Sequence, residues 1–377
     1  MHKKVIGVIG GYGMVGREVV KYLLKRTSHD ILIGGRVGHK GGAFPEDRVS
    51  YQAVDVFKPF SLGSFCRSCM LVINCAGPAA VVREKVALAA LRHRTHYVDP
   101  GGYNPAHYIL NRCRDELQEK GIAMVLATGI LPGLSEVFPI HEARRGFDSV
   151  HSMELAYIGR DQWSHNSAYD IAWGVGNIGK GEAPIFYEQG EVREAKLLTS
   201  GKSLPLPQPI GAYTLFPVFR EELRWFVEDE CIDNVRVYGN NWGLWVSLAT
   251  IAVKLFGWHK SPKQLHQAAS LISKAAQRDL KDKRPGFMLH LNMEGLRSDQ
   301  PVSLTSTLYF EETYRATGIC VAIAAQMIAE GTIPAGCHWA SQIPNVDIFM
   351  ERFLQQGYSI DRSDTCQHHP RVEEAVA

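Results

Sequence analysis

Six residues near the N-terminus, Gly11-Tyr12-Gly13-Met14-Val15-Gly16, have the types and the spacing to hold a diphosphate. They satisfy G-x-G-x-x-G, and their context gives the pattern weight. A β-branched run ending Val8-Ile9-Gly10 precedes them, and Val15, Val19, Tyr22 and Leu23 follow at helical spacing. Gly11 permits a tight strand-to-helix turn, Gly13 lets bare backbone approach a pyrophosphate, and Gly16 lets helix and strand pack closely. The helix start adds free N–H groups and the positive end of its dipole. A flexible turn is the alternative reading of such a pattern; strand before and helix after favour dinucleotide binding.

The next strand tip reads Gly34-Gly35-Arg36, with no carboxylate for a ribose 2′-hydroxyl. A guanidinium there grips a 2′-phosphate through charge-assisted hydrogen bonds, and Lys40 is a second positive charge nearby, so NADP (NADPH) is expected ahead of NAD. The alternative for Arg36 is a solvated loop cation. Asp55-Val56, ending a third strand, flank the adenine, and Asn74-Cys75-Ala76-Gly77-Pro78, ending a fourth, floor the ribose and nicotinamide. Open α/β sheets bind ligands at such carboxyl strand ends.

Positioning these groups takes a parallel sheet. Strands read as Lys4 to Ile9, Ile31 to Ile33, Gln52 to Val56, Leu71 to Asn74, His96 to Val98 and Ile122 to Leu126, alternating with helical stretches. The fold class is therefore α/β, a doubly wound Rossmann sheet. After Thr128-Gly129-Ile130-Leu131-Pro132-Gly133 the texture changes: Val150 to Ile158 alternates like an antiparallel strand, and six of the seven tryptophans fall between Trp163 and Trp258. Further strands read as Glu191 to Leu198, Asn234 to Tyr238, Gly286 to Glu294 and Leu304 to Phe310, with helices near Trp242 to Phe256 and Pro262 to Arg278. Thr317 to Glu330 reads as an amphipathic helix that packs back on the first domain. The expected division is a dinucleotide domain at 1–130 completed by 315–360, a substrate-binding and dimerisation domain at 131–314, and a flexible tail at 361–377. Gln367-His368-His369 belongs to that tail rather than to a metal site.

The bulk properties agree. A chain of 377 residues outgrows a single core, and its 45% hydrophobic and 21% charged residues are ordinary globular usage. A net charge of +2 provides no field for nucleic acid or a membrane surface, so neither is an expected partner. The opening residues lack the apolar stretch of a signal peptide, and eight irregularly spaced cysteines read as free thiols in the cytoplasm. Cys66-Arg67-Ser68-Cys69 is an ordinary helical pair, and no metal is expected. Trp242 to Trp258, interrupted by Lys254, is short for a bilayer span and reads as a buried or interface helix.

At Asn74-Cys75-Ala76-Gly77-Pro78, His96-Tyr97-Val98-Asp99 and Gly129-Ile130-Leu131-Pro132-Gly133-Leu134-Ser135 the chain resembles the saccharopine dehydrogenase (saccharopine reductase-like) family. Thr317-Gly318-Ile319-Cys320 through Gly331, Gly336 and Phe349 to Gly357 resemble that family's closing segment. The likeness covers residues 4–140 and 315–358 and fades between them. It implies a Rossmann domain, a second α+β domain on an open, mainly antiparallel sheet that also serves homodimerisation, and NAD(P)-dependent oxidation or reduction at a carbon–nitrogen bond. It does not imply saccharopine as substrate. It also sets Asp99 next to the nicotinamide and makes Pro132-Gly133 a hinge and cofactor edge; a plain interdomain turn is the alternative.

Reducing an imine needs a hydride placed about 3 to 3.5 Å from carbon and a proton for nitrogen. Asp99 either holds an iminium or ammonium or caps the turn Pro100-Gly101-Gly102; Tyr103 either donates a proton or packs. Cys75 is either a small buried residue or a reactive thiol. His165 is a candidate general acid, and with Trp163, Tyr169 and Trp173 it lines a pocket for a ring-bearing substrate unless these aromatics are core or interface. Carboxylates would be clamped by one or more of Arg145, Arg160, Arg220, Arg224 and Arg236. The leading expectation is an NADP-dependent oxidoreductase acting on an amine or imine of a small, amino-acid-derived substrate. An imine or enoyl reductase for a carrier-bound intermediate of secondary metabolism and a non-catalytic NADPH-sensing regulator are the other two.

Overall fold

Val5–Ile9 (β1) is apolar and almost wholly buried, as a central parallel strand covered on both faces must be. In the computed structural model, which describes residues 5–37, 44, 46–101, 104–177, 184–196, 200–219 and 221–366, the chain winds on from it. It passes through α1 (Met14–Arg26), β2 (Asp30–Gly35), β3 (Val49–Ala53), α2 (Pro59–Ser68), β4 (Leu71–Asn74), α3 (Ala79–Val82) and α4 (Lys85–Arg92). Then follow β5 (His96–Val98), α5 (Asn104–Asn111), α6 (Arg114–Lys120) and β6 (Ala123–Leu126). β3 starts and ends earlier than the expected Gln52 to Val56, because its register against β2 pairs Ile31 with Val49 and Gly35 with Ala53. Asp55 and Val56 therefore lie past the strand.

α7 (Leu134–Gly146) leads into a second sheet. Its elements are β7 (Ser149–Arg160), α8 (His165–Asn177), β8 (Ile185–Glu188), β9 (Glu191–Glu194), β10 (Lys202–Pro205), β11 (Ala212–Pro217) and α9 (Glu221–Asp229). They continue with β12 (Asn234–Asn241), α10 (Leu244–Leu255), α11 (Pro262–Asp279), β13 (Gly286–Arg297) and β14 (Gln300–Phe310). The chain closes with α12 (Thr313–Ala329), β15 (Gly336–Trp339), α13 (Val346–Leu354) and β16 (Ile360–Cys366). The second sheet runs β10-β11-β12-β7-β13-β14-β16, with β8 branching from β12 and β9 from β8. It is antiparallel except where β12 runs parallel to β7. Ser298 and Asp299, at φ +51° and +61°, make the two-residue turn that joins β13 to β14.

Three expectations are corrected. The first sheet has seven parallel strands, ordered β15-β6-β5-β4-β1-β2-β3, because the C-terminal segment adds β15 beside β6. α12 is not amphipathic: Gly318 to Ala325 are buried without a break, since α1, α13 and the first sheet cover all its faces. It approaches α1 so closely that a Cβ on Gly318 would stand 2.9 Å from the Val15 carbonyl oxygen. Residues 361–366 are not tail but most of β16, paired with β14 and tied by Arg362, which donates from Nε to the buried Glu142 at 3.3 Å. His368 and His369 lie outside the described residues. Cys66 is buried in the last turn of α2 and Cys69 is buried as its C-cap.

His107 on α5 stacks on Trp339 of β15, centroids 4.0 Å apart, with its Nδ1 buried and unpartnered. Burial, and then the neighbouring His338, hold this imidazole down at about 4. The unfolded chain thus takes up a proton below about 6.5 that the folded chain refuses until about 4, so this site removes stability as pH falls across that window. Thermal unfolding followed from neutral pH to below 4 should show a flatter fall for His107→Gln than for the wild type; parallel curves would refute the assignment.

Candidate cofactor and active site

Where β1 ends, Gly10 turns the chain at φ +79°, and a Cβ there would lie 2.8 Å from the Cys75 backbone. The left-handed residue of the turn is therefore Gly10, one place before the Gly11 chosen from the pattern. Gly11 lacks a side chain for another reason: a Cβ would press on Ile33 at 2.9 Å. At Gly16 a Cβ would collide with the Gly10 carbonyl oxygen at 2.3 Å, which is the close helix-on-turn packing expected of it. Gly13 is different. Its backbone is extended, at φ −73° and ψ 171°, and a Cβ would meet only the Gly10 oxygen, at 3.2 Å.

Gly13 is also the N-cap of α1, whose first turn has no side-chain cap and no acidic residue. The open approach to Gly13 and the uncapped amides beyond it fit a diphosphate. Tyr12 stacks on Tyr51 of β3 at 5.8 Å and lies along Gly35, walling the turn toward β2; Met14 is exposed and Val15 packs on the core. Arg36 is exposed just past β2. Lys40 and Tyr103 lie outside the described residues, as does Arg220. Asp55 Oδ1 accepts from the Phe57 amide at 3.0 Å, which fixes the loop to α2 and leaves Val56 half-buried beside it.

β4 delivers Asn74, whose Oδ1 accepts from the Ala76 amide at 3.2 Å and whose Nδ2 donates to Tyr97 Oη at 3.4 Å. Cys75, Ala76, Gly77 and Pro78 follow, half-buried, into α3. Burial first, then the Asp99 carboxyl, push the Cys75 thiol up to about 12, so it is no thiolate near neutrality. α8 of the second half lies over this floor. Asp170 accepts from the Ala79 and Ala80 amides at 2.9 and 3.0 Å, capping α3 across the two halves, and a Cβ on Gly77 would touch Asn166 at 3.4 Å. Burial raises the Asp170 carboxyl pKa against the pull of those two amides. Nothing in the spacing of α8 marked Asn166 or Asp170 for this role.

Asp99 follows β5. Its carbonyl accepts from the Thr128 amide at 3.0 Å and Oγ1 at 2.7 Å, while Oδ1 lies 3.5 Å from the Ala127 amide. Burial, and then the charge of Asp99, push the Tyr97 phenol well above its ordinary range, so Tyr97 keeps its proton beside that carboxyl. The Cys337 thiol on β15 is likewise pushed up to about 12, by burial and then by Asp99. Asp99 thus sits at the carboxyl ends of β4, β5 and β6, within electrostatic reach of Cys337 on β15. Pro132-Gly133 turns from there into α7: Gly133, at φ +131°, would drive a Cβ to 2.3 Å from the Gly129 oxygen. Its amide donates to the buried Glu136 at 2.6 Å, and Ser135 Oγ donates to the same carboxylate at 2.7 Å. A Glu three residues past a helix start is the capping signal that could have exposed Glu136.

The middle of the chain holds fewer of the expected groups. His165 is exposed at the start of α8, its Nε2 3.0 Å from Nδ1 of His266 on α11. Tyr169 is core between α8 and α11, and Trp163 and Trp173 pack on the same cluster. Arg160 donates to the Arg284 carbonyl at 3.0 Å and stacks on Trp242; Arg224 pairs with Glu221 at 2.9 Å and Arg236 with Glu188 at 2.9 Å. Arg145 is exposed near the end of α7. The four described arginines do not converge on one carboxylate site.

Residues 6–125 match the family described as "Saccharopine dehydrogenase NADP binding domain". No curated protein matches the chain. Among solved structures, apo saccharopine dehydrogenase (L-Glu forming) from Saccharomyces cerevisiae aligns at TM-score 0.69 and 15% identity, covering 96% of this chain and 100% of that one. C. glutamicum DAP dehydrogenase in complex with DAP aligns at TM-score 0.45 and 12% identity, over 94% and 99% of the two chains. Dipicolinate-bound dihydrodipicolinate reductase from Paenisporosarcina sp. TG-14 does so at 0.40 and 11%, over 90% and 98%. Its glycine turn thus heads a domain of the saccharopine dehydrogenase NADP-binding type at residues 6–125, and the chain as a whole has the fold of saccharopine dehydrogenase, a parallel Rossmann-like sheet followed by a second, mixed one.

Proposed function

We propose that the protein is an NADP-dependent oxidoreductase acting on a carbon–nitrogen bond of a small, amino-acid-derived substrate. The single observation that carries this reading is the placement of a carboxyl group, Asp99, at the strand ends of an NADP-binding domain, near the Cys75 to Pro78 floor that α8 of the other half covers. Bound NADPH supplies a hydride to carbon, the C=N π pair passing to nitrogen. The open approach to Gly13 and the uncapped start of α1 take its diphosphate, and Arg36 takes the 2′-phosphate. Asn74 to Pro78 support the ribose and nicotinamide, and Pro132-Gly133 borders them. Asp99, steadied by Tyr97 and Thr128, faces the cationic nitrogen, where it favours the iminium over the neutral imine. A homodimer built on the second sheet belongs to this reading, as the family likeness implies.

The test has two arms. NADPH and NADH are titrated against wild type and Arg36→Asp; loss of one charge-assisted contact weakens NADPH about 10- to 100-fold and spares NADH. Loss of reduced-cofactor absorbance is then followed with pairs of 2-oxo acids and amines or amino acids. Unchanged NADPH affinity in the variant would remove Arg36 from the site. Tight NADPH binding with no turnover on any pair, in either direction, would refute C–N chemistry.

A further inference from the structure

α10 is apolar on both sides. Val246, Ala249 and Val253 are buried in the same apolar cluster as α8 and α11. The opposite stripe, Leu244, Leu248, Ile251 and Leu255, is 63%, 48%, 53% and 77% exposed, and Phe256 extends it at 71%. A helix apolar all round belongs in an apolar surround on every side, and half of this one faces water. It is nonetheless firmly held: Asp279 at the end of α11 accepts from the Trp245 and Val246 amides at 3.0 and 2.8 Å. The stripe is a rigid, protruding ridge.

The charge around the ridge says what covers it. Residues 243–284 carry eight basic groups, Lys254, Lys260, Lys263, Lys274, Arg278, Lys281, Lys283 and Arg284, all exposed, against two acidic ones, Asp279 and Asp282. Eight minus two gives +6 here, so the rest of a chain of net +2 carries −4, and the whole-chain charge conceals the asymmetry. Asp279 is buried in its capping bonds, and Arg284 lies 3.9 Å from Glu311. Arg278 lies flat on Trp245, 3.7 Å from the ring centroid, which sets a cation at the edge of the stripe. A twofold dimer through this face would set like charge on like charge, since such interfaces pair a patch with itself. A ridge, unlike a groove, offers no pocket for a partner's side chains.

We propose that α10 rests on an anionic phospholipid surface, with Leu244, Leu248, Ile251, Leu255 and Phe256 in the acyl boundary and the surrounding lysines and arginines on the headgroups. Apolar ridges edged by aromatic and basic side chains bind membranes in this way without crossing them. No described helix is long and apolar enough to span a bilayer, so the attachment is peripheral.

Flotation of the purified full chain tests this, with vesicles of phosphatidylcholine alone and of phosphatidylcholine mixed with phosphatidylserine. The wild type should float with the anionic vesicles only, and less so as salt rises. Lys254→Gln/Lys260→Gln/Lys263→Gln should weaken this about a hundredfold, at about fivefold per lysine. Leu248→Gln/Leu255→Gln should abolish it; unchanged circular dichroism and NADPH binding establish that both variants are folded. Absence of flotation, equal flotation on both lipids, or variants that float like wild type would each overturn the proposal. So would a lipid-free dimer dissolved by the leucine variant, or saturable binding of acyl carrier protein, an acidic soluble probe, without flotation.

Discussion

Gly13→Val is expected to abolish NADPH binding and leave stability unchanged, whereas Gly16→Val should lower both. At Gly13 the backbone is extended, so a β-branched residue is tolerated, and the single close neighbour of a new Cβ is the Gly10 oxygen at 3.2 Å. The added methyls occupy the approach assigned to the diphosphate. Several amide contacts vanish together, and affinity should fall by at least about a hundredfold, each tenfold being about 1.4 kcal/mol. At Gly16 the same change sets Cβ at 2.3 Å from the Gly10 oxygen and 2.7 Å from Gly11 Cα, so the helix must leave the turn. Such overpacking costs about 1 to 3 kcal/mol of stability. Isothermal titration and thermal unfolding separate the two outcomes. NADPH binding by Gly13→Val at wild-type strength would mean that the diphosphate does not lie on this turn.

Asp99→Asn should be the most damaging change to turnover. Loss of a positioned proton-transfer or charge-stabilising group costs about 10²- to 10⁴-fold in rate, and a nearly isosteric amide keeps the shape of the site. NADPH affinity should change by little, because the contacts assigned to the cofactor lie mainly on other residues. The split is the diagnostic: kcat falls and the dissociation constant for NADPH stays. If turnover survives, Asp99 is a cap for the Pro100-Gly101 turn, whose carbonyl already binds Thr128. If both fall together, the Asp99–Tyr97 arrangement is holding the strand ends in place rather than acting on substrate.

The first half of the chain was legible because its signals are local. A glycine triplet, a strand and a helical stripe occur within 23 residues, and the missing carboxylate after Gly35 is a statement about one position. The misassignments there are also local: the positive φ belongs to Gly10 because the chain must turn under Cys75, a contact between two strands that spacing does not encode. What escaped is what depends on distant segments. Asp170 caps a helix 90 residues before it, β15 joins the first sheet from beyond the second, and α12 looks amphipathic until three sets of neighbours surround it. The arginines illustrate the same limit: residue type suggested carboxylate clamps, but Arg224 and Arg236 face acidic neighbours on the protein itself. The stripe on α10 was visible as apolar; that it faces outward was not.

Tyr22 on α1 bonds Gln326 on α12 at 3.0 Å across 304 residues. During synthesis, then, the helix that follows the glycine turn emerges well before its mate and waits for it through the 304 residues that separate Tyr22 from Gln326. The nucleotide-binding half cannot close until α12, β15 and α13 have followed β14 of the second sheet. Any premature stop before α12 leaves an unfinished, sticky wall on α1, a substrate for chaperones and proteases rather than a smaller working enzyme.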